Sequence, residues 1–212
     1  PGVSYRGALP GPAPAGGVVI LAVPDAAVAQ VAAALAAQGA TRAATALHLS
    51  GALPAAVLAP LAPRGYATAS LHPLQTVAEP GATGAPLRGI AFGFEGAAAA
   101  RPVAEQIVRA AGGRMLDVEP AAKPLYHAAC VFASNYVVAT VAVGVRLLAR
   151  ATGVPEDRAL GALLPLVEGA RANLERVGLP HALTGPVARG DVEVVARHLA
   201  AQRERGVRWR FL

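Results

Sequence analysis

Residues 17–25, GVVILAVPD, decide the class of fold. Residues 18–23 form an unbroken apolar run rich in β-branched side chains, which predicts a strand buried on both faces. Pro24 ends that run, and the alanine-rich stretch over residues 26–38 predicts a helix that closes at Gly39. A strand followed directly by a helix is the repeating unit of an α/β protein.

The same plan recurs along the chain as far as residue 119. Apolar runs and turn signals predict further elements in alternation, namely strands over residues 45–49, 66–71, 89–94 and 114–118 and helices over residues 53–61 and 98–111. Alternation of this kind predicts a parallel sheet covered by helices. We therefore predict an α/β domain over residues 1–119.

The alternation stops after residue 119, and residues 120–212 are predicted to form an all-α domain. Its helices are expected over residues 121–151, 155–177 and 191–203. The stretch 128–145 carries no formal charge and is about long enough to span a bilayer. Polar residues interrupt it, however, so a buried core helix is the preferred interpretation and no membrane is expected as a partner.

Composition excludes several classes of function. The chain is 54% hydrophobic with a formal net charge of +6, so it is expected to fold around a core rather than stay disordered. Cys130 is the one cysteine, which excludes an intrachain disulfide and favours the cytoplasm. The basic C-terminal residues 203–210 lack interleaved aromatic residues, so nucleic acid is not expected as a partner. No cluster of histidine, cysteine and carboxylate residues has the spacing of metal ligands, so no metal site is predicted.

Two loops at the ends of predicted strands are candidates for binding a cofactor. Val23, Pro24 and Asp25 follow the first strand, and Ser50 and Gly51 follow the second. Ligands of open α/β sheets bind at the carboxyl ends of the strands, where backbone amides can face an anion. A plain strand end and a serine that caps a helix explain these residues equally well.

Two other loops carry candidates for substrate binding. His72 follows the third predicted strand, in SLHPLQT, where it can bond a substrate carboxylate or carbonyl; a structural histidine bonded to the backbone is the alternative. Thr184 and Arg189 lie in the loop LTGPVARGD and can reach a substrate anion. A rigid connector between helices is the alternative for that loop.

A stripe of polar side chains lies on one face of the helix predicted over residues 121–151. At helical spacing it contains Lys123, His127, Cys130 and Ser134, with Tyr126 at its border and Asn135 just beyond. The start of a helix and partial burial both lower the pKa of an amine such as Lys123, which makes it a usable acid or base.

Hydride transfer needs such a group beside the carbon that reacts. We therefore predict Lys123 and His127 as catalytic residues and Ser134 and Asn135 as substrate ligands of a nicotinamide-dependent oxidoreductase. The alternative is that Lys123 extends to solvent and His127 is a satisfied core histidine.

Five motifs in this order resemble a bacterial family of oxidoreductases. The motifs are LAVPD, LHLSGAL, SLHPLQT, KPLYHAACVFASNY and ALTGPVARGD, and they span about residues 17–199. Members of that family join an N-terminal Rossmann-like NAD(P)-binding domain to a C-terminal helical domain of unknown function. The family is similar in plan to pyrroline-carboxylate reductase, ketopantoate reductase and the β-hydroxyacid dehydrogenases.

The resemblance implies a Rossmann-like sheet followed by an all-α domain of the 6-phosphogluconate dehydrogenase C-terminal type. It also implies NADP or NAD as cofactor, a small-molecule substrate in a cleft between the domains, and a homodimer formed through the helical domain. In β-hydroxyacid dehydrogenases a lysine, with an asparagine four residues later, holds the substrate. Lys123 matches that lysine, and His127 takes the place of the asparagine.

The chain departs from the family at its beginning. The family starts with a strand, a GxGxxG turn and a helix, whereas the glycines of residues 7–17 neither follow a strand nor precede a helix. The sheet is therefore expected to be incomplete at its N-terminal side, as in a truncated sequence, and this chain alone is expected to bind a dinucleotide poorly. The predicted reaction is hydride transfer to or from a small carbonyl, imine or hydroxy acid. A non-catalytic dinucleotide-sensing or scaffold protein is the alternative.

Overall fold

The computed structural model describes residues 11–77 and 87–204. Most of the C-terminal basic cluster, including Arg205, Arg208 and Arg210, lies outside these ranges. The chain divides into two compact units, Pro1–Val131 and Phe132–Leu212, which are described separately. The beginning of the helical region therefore belongs to the first unit, and the predicted functional boundary between residues 119 and 120 stays a prediction.

The first unit is built on a five-stranded sheet. Its strands, in spatial and chain order, are β1 (Val18–Leu21), β2 (Ala44–His48), β3 (Tyr66–Pro73), β4 (Ala91–Gly96) and β5 (Arg114–Asp117). All neighbouring strands are parallel except β3 and β4, which are antiparallel. The predicted Rossmann-like α/β class with a following helical region is confirmed, but the sheet is mixed rather than wholly parallel.

The antiparallel pair follows from the connection that joins it. Parallel neighbours need a crossover, which is usually a helix, whereas antiparallel neighbours do not. Residues 74–90 have the glycine and proline content of a loop, and the part of them that the structure describes contains no helix. β4 therefore returns beside β3 in the opposite direction.

Helices and a 3₁₀ segment cover the two faces of this sheet. Helix α1 (Asp25–Ala37) and the 3₁₀ segment Ala55–Arg64 pack on one face, and helix α2 (Arg101–Ala110) packs on the other. The sequence predicts a helix over residues 53–61, and the structure has the 3₁₀ segment Ala55–Arg64 in its place. Pro60 and Pro63 lie inside it and supply no amide hydrogens for an α-helical ladder.

Strand β1 contradicts the expectation of a strand buried on both faces. It is an edge strand, with Val18 44% and Ile20 46% exposed. Leu21 is buried, because it faces the layer formed by α1. The apolar run was correctly predicted as a strand, but among the described residues nothing covers its second face.

The second unit contains the remaining helices. They are α4 (Asn135–Thr152), α5 (Glu156–Val177), α6 (Gly185–Arg189) and α7 (Val192–Glu204), and they follow α3 (Lys123–Ala133), which lies mostly in the first unit. The single helix predicted over residues 121–151 is therefore two helices. Ser134 separates them, because its backbone leaves the helical region at φ −125° and ψ −72°.

The predicted burial of residues 128–145 in a helical core is wrong. Within the ranges that the structure describes, the stretch Pro120–Thr152 is long and apolar enough to cross a membrane, yet 6% of its most apolar 18-residue window is buried. Helix α4 packs against α5, and the described part of the second unit leaves its other faces open. Apolar side chains such as that of Val138 are consequently exposed.

Candidate functional site

A row of polar side chains crosses three strands of the sheet. His48 in β2 is paired with Ser70 in β3, and Ser70 is paired with Glu95 in β4. Paired residues point to the same face of a sheet, so strand register alone brings these three side chains together. All three are buried, which is unusual for polar groups and requires partners.

Lys123 supplies the partner for this row. Its side chain is one of the most buried in the described chain, with a relative exposure of 1%. The Nζ atom donates a hydrogen bond of 2.6 Å to the Ser70 Oγ atom and lies 3.9 Å from the Glu95 Oε2 atom. Ser70 in turn donates to the carbonyl oxygen of Ser50 at 3.2 Å. The first residue of α3 is thereby fixed to the sheet, and the alternative that Lys123 extends to solvent is contradicted.

Lys123 and Glu95 form an ion pair that is buried away from water. Burial lowers the pKa of Lys123, and the nearby Glu95 carboxylate works in the opposite direction. Glu95 Oε2 also accepts a hydrogen bond of 2.8 Å from the amide of Ala55. A carboxylate with an amide donor and an ammonium close by is stable at such a site, whereas either ion alone is not.

His48 has a structural role in the turn that follows β2. Its Nδ1 atom accepts a hydrogen bond from the Ser50 amide at 3.2 Å, so the ring proton lies on Nε2, 3.3 Å from the carbonyl oxygen of Pro54. Burial lowers the pKa of His48, which keeps the ring neutral. The Ser50 hydroxyl accepts from the amides of Ala52 and Leu53 at 3.2 and 3.0 Å. These bonds hold the turn that follows β2, whereas the next helical segment begins at Ala55 without a side-chain cap.

A second polar pair lies further toward the carboxyl end of β3. The Nδ1 atom of His72 is 2.7 Å from the Tyr126 hydroxyl, and the two rings meet edge to face with centroids 5.7 Å apart. Gly93 makes room for this contact, since a Cβ atom at that position would lie 2.3 Å from the hydroxyl oxygen. His72 is therefore bonded to a side chain rather than to the backbone.

Both members of this pair are neutral near pH 7. Burial lowers the pKa of His72 from its ordinary 6.5 to about 4, and the positive charge of Lys123 acts in the same direction. Burial also raises the pKa of Tyr126, with Cys130 as the next cause. Two arrangements fit neutral partners. Either the phenol donates to the Nδ1 atom of His72, or His72 is protonated on Nδ1 and donates to the phenol oxygen.

Gly51 lies where two imidazole rings converge. A Cβ atom on Gly51 would come within 2.8 Å of His72 Cε1, 2.9 Å of His72 Nε2 and 3.1 Å of His127 Cδ2. His127 is half-buried and lies one turn after Lys123 on α3. The structure thus brings together five of the predicted site residues, which are Ser50, Gly51, His72, Lys123 and His127.

The other predicted site residues lie elsewhere. Val23, Pro24 and Asp25 are exposed at the carboxyl end of β1 and the start of α1. Four predicted substrate ligands belong to the second unit: Ser134, Asn135, Thr184 and Arg189. Ser134 donates to Asn135 Oδ1 at 2.9 Å, and Arg189 forms an exposed ion pair of 2.8 Å with Asp191. Their roles toward a substrate stay predictions.

Sequence reasoning missed Glu95 and His48 and noted Tyr126 only as a neighbour of the stripe. Glu95 follows the predicted strand 89–94, and its polar character there was a usable signal. Its pairing with Lys123 depends on strand register, which the sequence does not state. Across residues 11–77 and 87–204, no group of three or more histidine, cysteine or acidic residues is placed to hold a metal ion.

Comparisons with known proteins bear on both parts of the chain. A family model described as a domain of unknown function, DUF2520, matches residues 90–208, and a Rossmann-like domain model matches residues 8–73. No curated protein matches the sequence.

Several solved structures are similar to the chain. The crystal structure of protein TM1727 from Thermotoga maritima is 28% identical, with a TM-score of 0.71 over 92% of this chain and 72% of the other. A reductive aminase from Aspergillus terreus, solved with NADPH and ethyl levulinate, is 21% identical, with a TM-score of 0.60 over 90% and 68%. A Plasmodium falciparum pyrroline carboxylate reductase with NADP bound is 11% identical, with a TM-score of 0.56 over 88% and 71%. The last two show a shared fold.

The buried ion pair generates a stability prediction. Replacing Lys123→Met leaves the Glu95 carboxylate buried without its cation, so we expect the free energy of unfolding to fall by roughly 3 kcal/mol. The double variant Lys123→Met/Glu95→Gln should lose less free energy of unfolding than the two single variants added together, by at least about 1 kcal/mol. Urea unfolding of the four proteins measures this coupling.

The exposed ion pairs of Arg171 provide the matched control. Arg171 contacts Glu168 and Glu175 on the surface of α5, so Arg171→Met is expected to cost less than about 1 kcal/mol. Additive effects of the two substitutions at the buried site, or an equal cost at both sites, would show that Lys123 and Glu95 do not interact in the folded chain.

The His72 pKa generates a prediction about pH. The folded pKa of about 4 lies below the unfolded 6.5, so the unfolded chain binds more protons between these values and stability falls as the pH is lowered through that window. From this group alone we expect a loss of about 2 kcal/mol between pH 7 and pH 5. His72→Gln should remove that part of the pH dependence, whereas His198→Gln, at an exposed position of α7, should leave it intact. Identical pH profiles for wild type and His72→Gln would refute the assignment.

Proposed function

The chain belongs to the DUF2520 family, and on that premise we propose that it forms part of an NAD(P)-dependent oxidoreductase. The reaction is hydride transfer to or from a small carbonyl, imine or hydroxy acid. The observation that carries the proposal is the cluster of His72, Tyr126 and His127 at the carboxyl ends of the strands, beside the buried ammonium of Lys123. Two neighbours in fold, the reductive aminase and the pyrroline carboxylate reductase, are solved with NADPH and NADP, which supports NADP as cofactor.

The residues at the strand ends fit one end of a dinucleotide better than the other. Val23 and Pro24 are exposed and uncharged, which suits a ribose or nicotinamide. Asp25 puts a carboxylate in the first turn of α1, where a pyrophosphate would otherwise meet the positive end of the helix. We therefore propose that the uncharged part of the cofactor, rather than its pyrophosphate, lies at this loop.

The residues of the cluster divide the work. A bound nicotinamide supplies or accepts the hydride, and the protein must orient the substrate and move a proton. His127 is half-buried and has a ring edge near Gly51, so we propose that it contacts the substrate. Lys123 is almost fully buried and bonded to Ser70, so we propose that it acts mainly by positioning α3 and by its charge.

The second unit supports a further part of the proposal, a homodimer formed through the helical domain. Helices α4 and α5, with Phe132 near the end of α3, expose apolar side chains around a groove of about 980 Å³. It is lined by Phe132, Tyr136, Val137, Thr140, Val141, Leu166, Val167 and Ala170. Val138 and Leu166 are each 70% exposed. A stable dimer buries about 800 Å² on each partner, and an apolar helix face is the kind of surface that such dimers cover. A cytoplasmic location completes the proposal.

Turnover in the full-length natural protein tests the enzyme proposal. NADPH and NADH oxidation is followed at 340 nm with a panel of small carbonyls and cyclic imines, including ethyl levulinate and pyrroline-5-carboxylate. We expect activity with at least one of these compounds. His127→Gln should lower kcat/KM about 10- to 100-fold, because a substrate contact is lost, while the Kd for NADPH changes less than about threefold.

Gln30→Lys, an exposed change on α1, is the control for nonspecific effects and should keep full activity. A wild-type protein that binds NADPH tightly but reduces no member of the panel would favour the non-catalytic sensing or scaffold protein. Equal activity of wild type and His127→Gln would remove His127 from the site.

Sedimentation equilibrium tests the dimer. The wild-type protein is expected to sediment as a dimer, and a charge on the apolar face, in Val138→Lys or Leu166→Lys, should shift it to monomers by burying an unpaired ammonium at the interface. Gln30→Lys should remain dimeric. A wild-type monomer would contradict the interface, and a protein that stays in solution only with detergent would indicate that a membrane covers this face.

A further inference from the structure

The Tyr126 hydroxyl occupies a defined position at the carboxyl end of β3. It lies 2.7 Å from His72 Nδ1 and sits over the backbone of Gly93, where no side chain intervenes. The ammonium of Lys123 lies 5.6 Å from the centroid of the phenol ring. A polar group held on several sides in this way is preorganised, since its place does not depend on a ligand.

Lys123 is not free to exchange protons with a bound molecule. Its exposure is 1%, and its amine already donates to Ser70 and faces Glu95. Tyr126, His72, His127 and Cys130 are the half-buried titratable groups of the cluster, and the Cys130 side chain is hydrogen-bonded to Tyr126. Of these, Tyr126 has both a hydroxyl proton to give and a fixed neighbour on its oxygen.

We propose that Tyr126 is the catalytic proton donor and that His72 is the residue that positions it. The inference rests on the proposed oxidoreductase function. His72 carries its ring proton on Nδ1 and donates it to the phenol oxygen. The phenolic O–H, which is hydrogen-bonded to the Cys130 side chain in the structure, turns to the substrate when one binds. In the sequence, Tyr126 stood only at the border of the polar stripe, and no role was assigned to it.

With a carbonyl substrate, transfer of the Tyr126 proton accompanies transfer of the hydride. The carbon gains a hydride from the reduced nicotinamide, and the electrons of the C=O π bond move to oxygen. That oxygen takes the proton of Tyr126 as the phenolic O–H bond breaks. The phenolate that forms is stabilised by the His72 N–H and by the positive charge of Lys123, and it regains a proton from water. An imine nitrogen takes the proton in the same way.

A phenol is a suitable donor here even though burial raises the pKa of Tyr126. An alkoxide is a stronger base than a phenolate, so the proton still moves toward the product oxygen. In the opposite direction, Tyr126 must first lose its proton to water; the phenolate then takes the hydroxyl proton of the hydroxy acid as the hydride leaves the adjoining carbon for the oxidised nicotinamide. The hydrogen bond donated by His72 is stronger to the phenolate than to the neutral phenol, so it stabilises the charged form of Tyr126 in both directions.

Steady-state kinetics on the full-length protein test the role of Tyr126. With the substrate found in the carbonyl and imine panel, Tyr126→Phe is expected to lower kcat by about 100-fold or more, while KM and the Kd for NADPH change less than about threefold. Tyr66→Phe is the matched control. It removes the hydroxyl of a buried tyrosine in the same unit, which bonds the Ala13 amide, and should leave kcat unchanged.

A second readout needs neither cofactor nor turnover. In the ¹⁵N spectrum of the histidine-labelled chain, His72 should be neutral at pH 7 with its proton on Nδ1. That signal should shift in Tyr126→Phe and stay in place in Tyr66→Phe. A His72 ring protonated on Nε2 instead would contradict the positioning role, whatever the kinetics show.

The outcomes separate this inference from the function on which it rests. Turnover by the wild type that persists in Tyr126→Phe overturns the proton-donor role alone. No turnover by the wild type with any compound of the panel overturns the oxidoreductase proposal and the role of Tyr126 with it. Melting curves check that each variant is folded, since an unfolded variant would lose both NADPH binding and kcat.

Discussion

The burial of one ammonium group governs how the first unit is assembled. A positive charge is stable inside a sheet layer only with a hydrogen-bond acceptor and an opposite charge close by. Strand register supplies both at once, because Ser70 and Glu95 are paired neighbours on β3 and β4. The contact of Lys123 with these two residues fixes the start of α3. Tyr126 and His127 follow one turn later, so their positions at the strand ends depend on the same contact.

Much of this arrangement could be predicted from local patterns. Apolar runs located the strands to within a few residues, and helical spacing placed Lys123 and His127 on one face of a helix. These features depend on residues near one another in the chain. His72 was also predicted as a site residue, because ligands of α/β sheets bind at the carboxyl ends of the strands.

The features that were not predicted depend on which residues or surfaces pack against a given side chain. Local sequence patterns carry no information about such contacts. The pairing of Glu95 with Lys123 required the register of an antiparallel pair, whereas alternation predicted a parallel one. The exposed faces of β1 and α4 read as core because an apolar run looks the same whether this chain or another surface covers it. No glycine or proline at Ser134 indicated that the helix would be interrupted there.

Two glycines give the site part of its shape. At Gly51 and Gly93, a single methyl group would collide with His72 or with the Tyr126 hydroxyl. The geometry of the cluster therefore depends on the lack of a side chain at Gly51 and Gly93 as well as on its histidine and tyrosine side chains. A comparison of distant sequences that considers only the histidine, lysine and tyrosine positions would overlook these two glycines. Glycine at both positions is the better marker for deciding which remote relatives retain the same arrangement of rings.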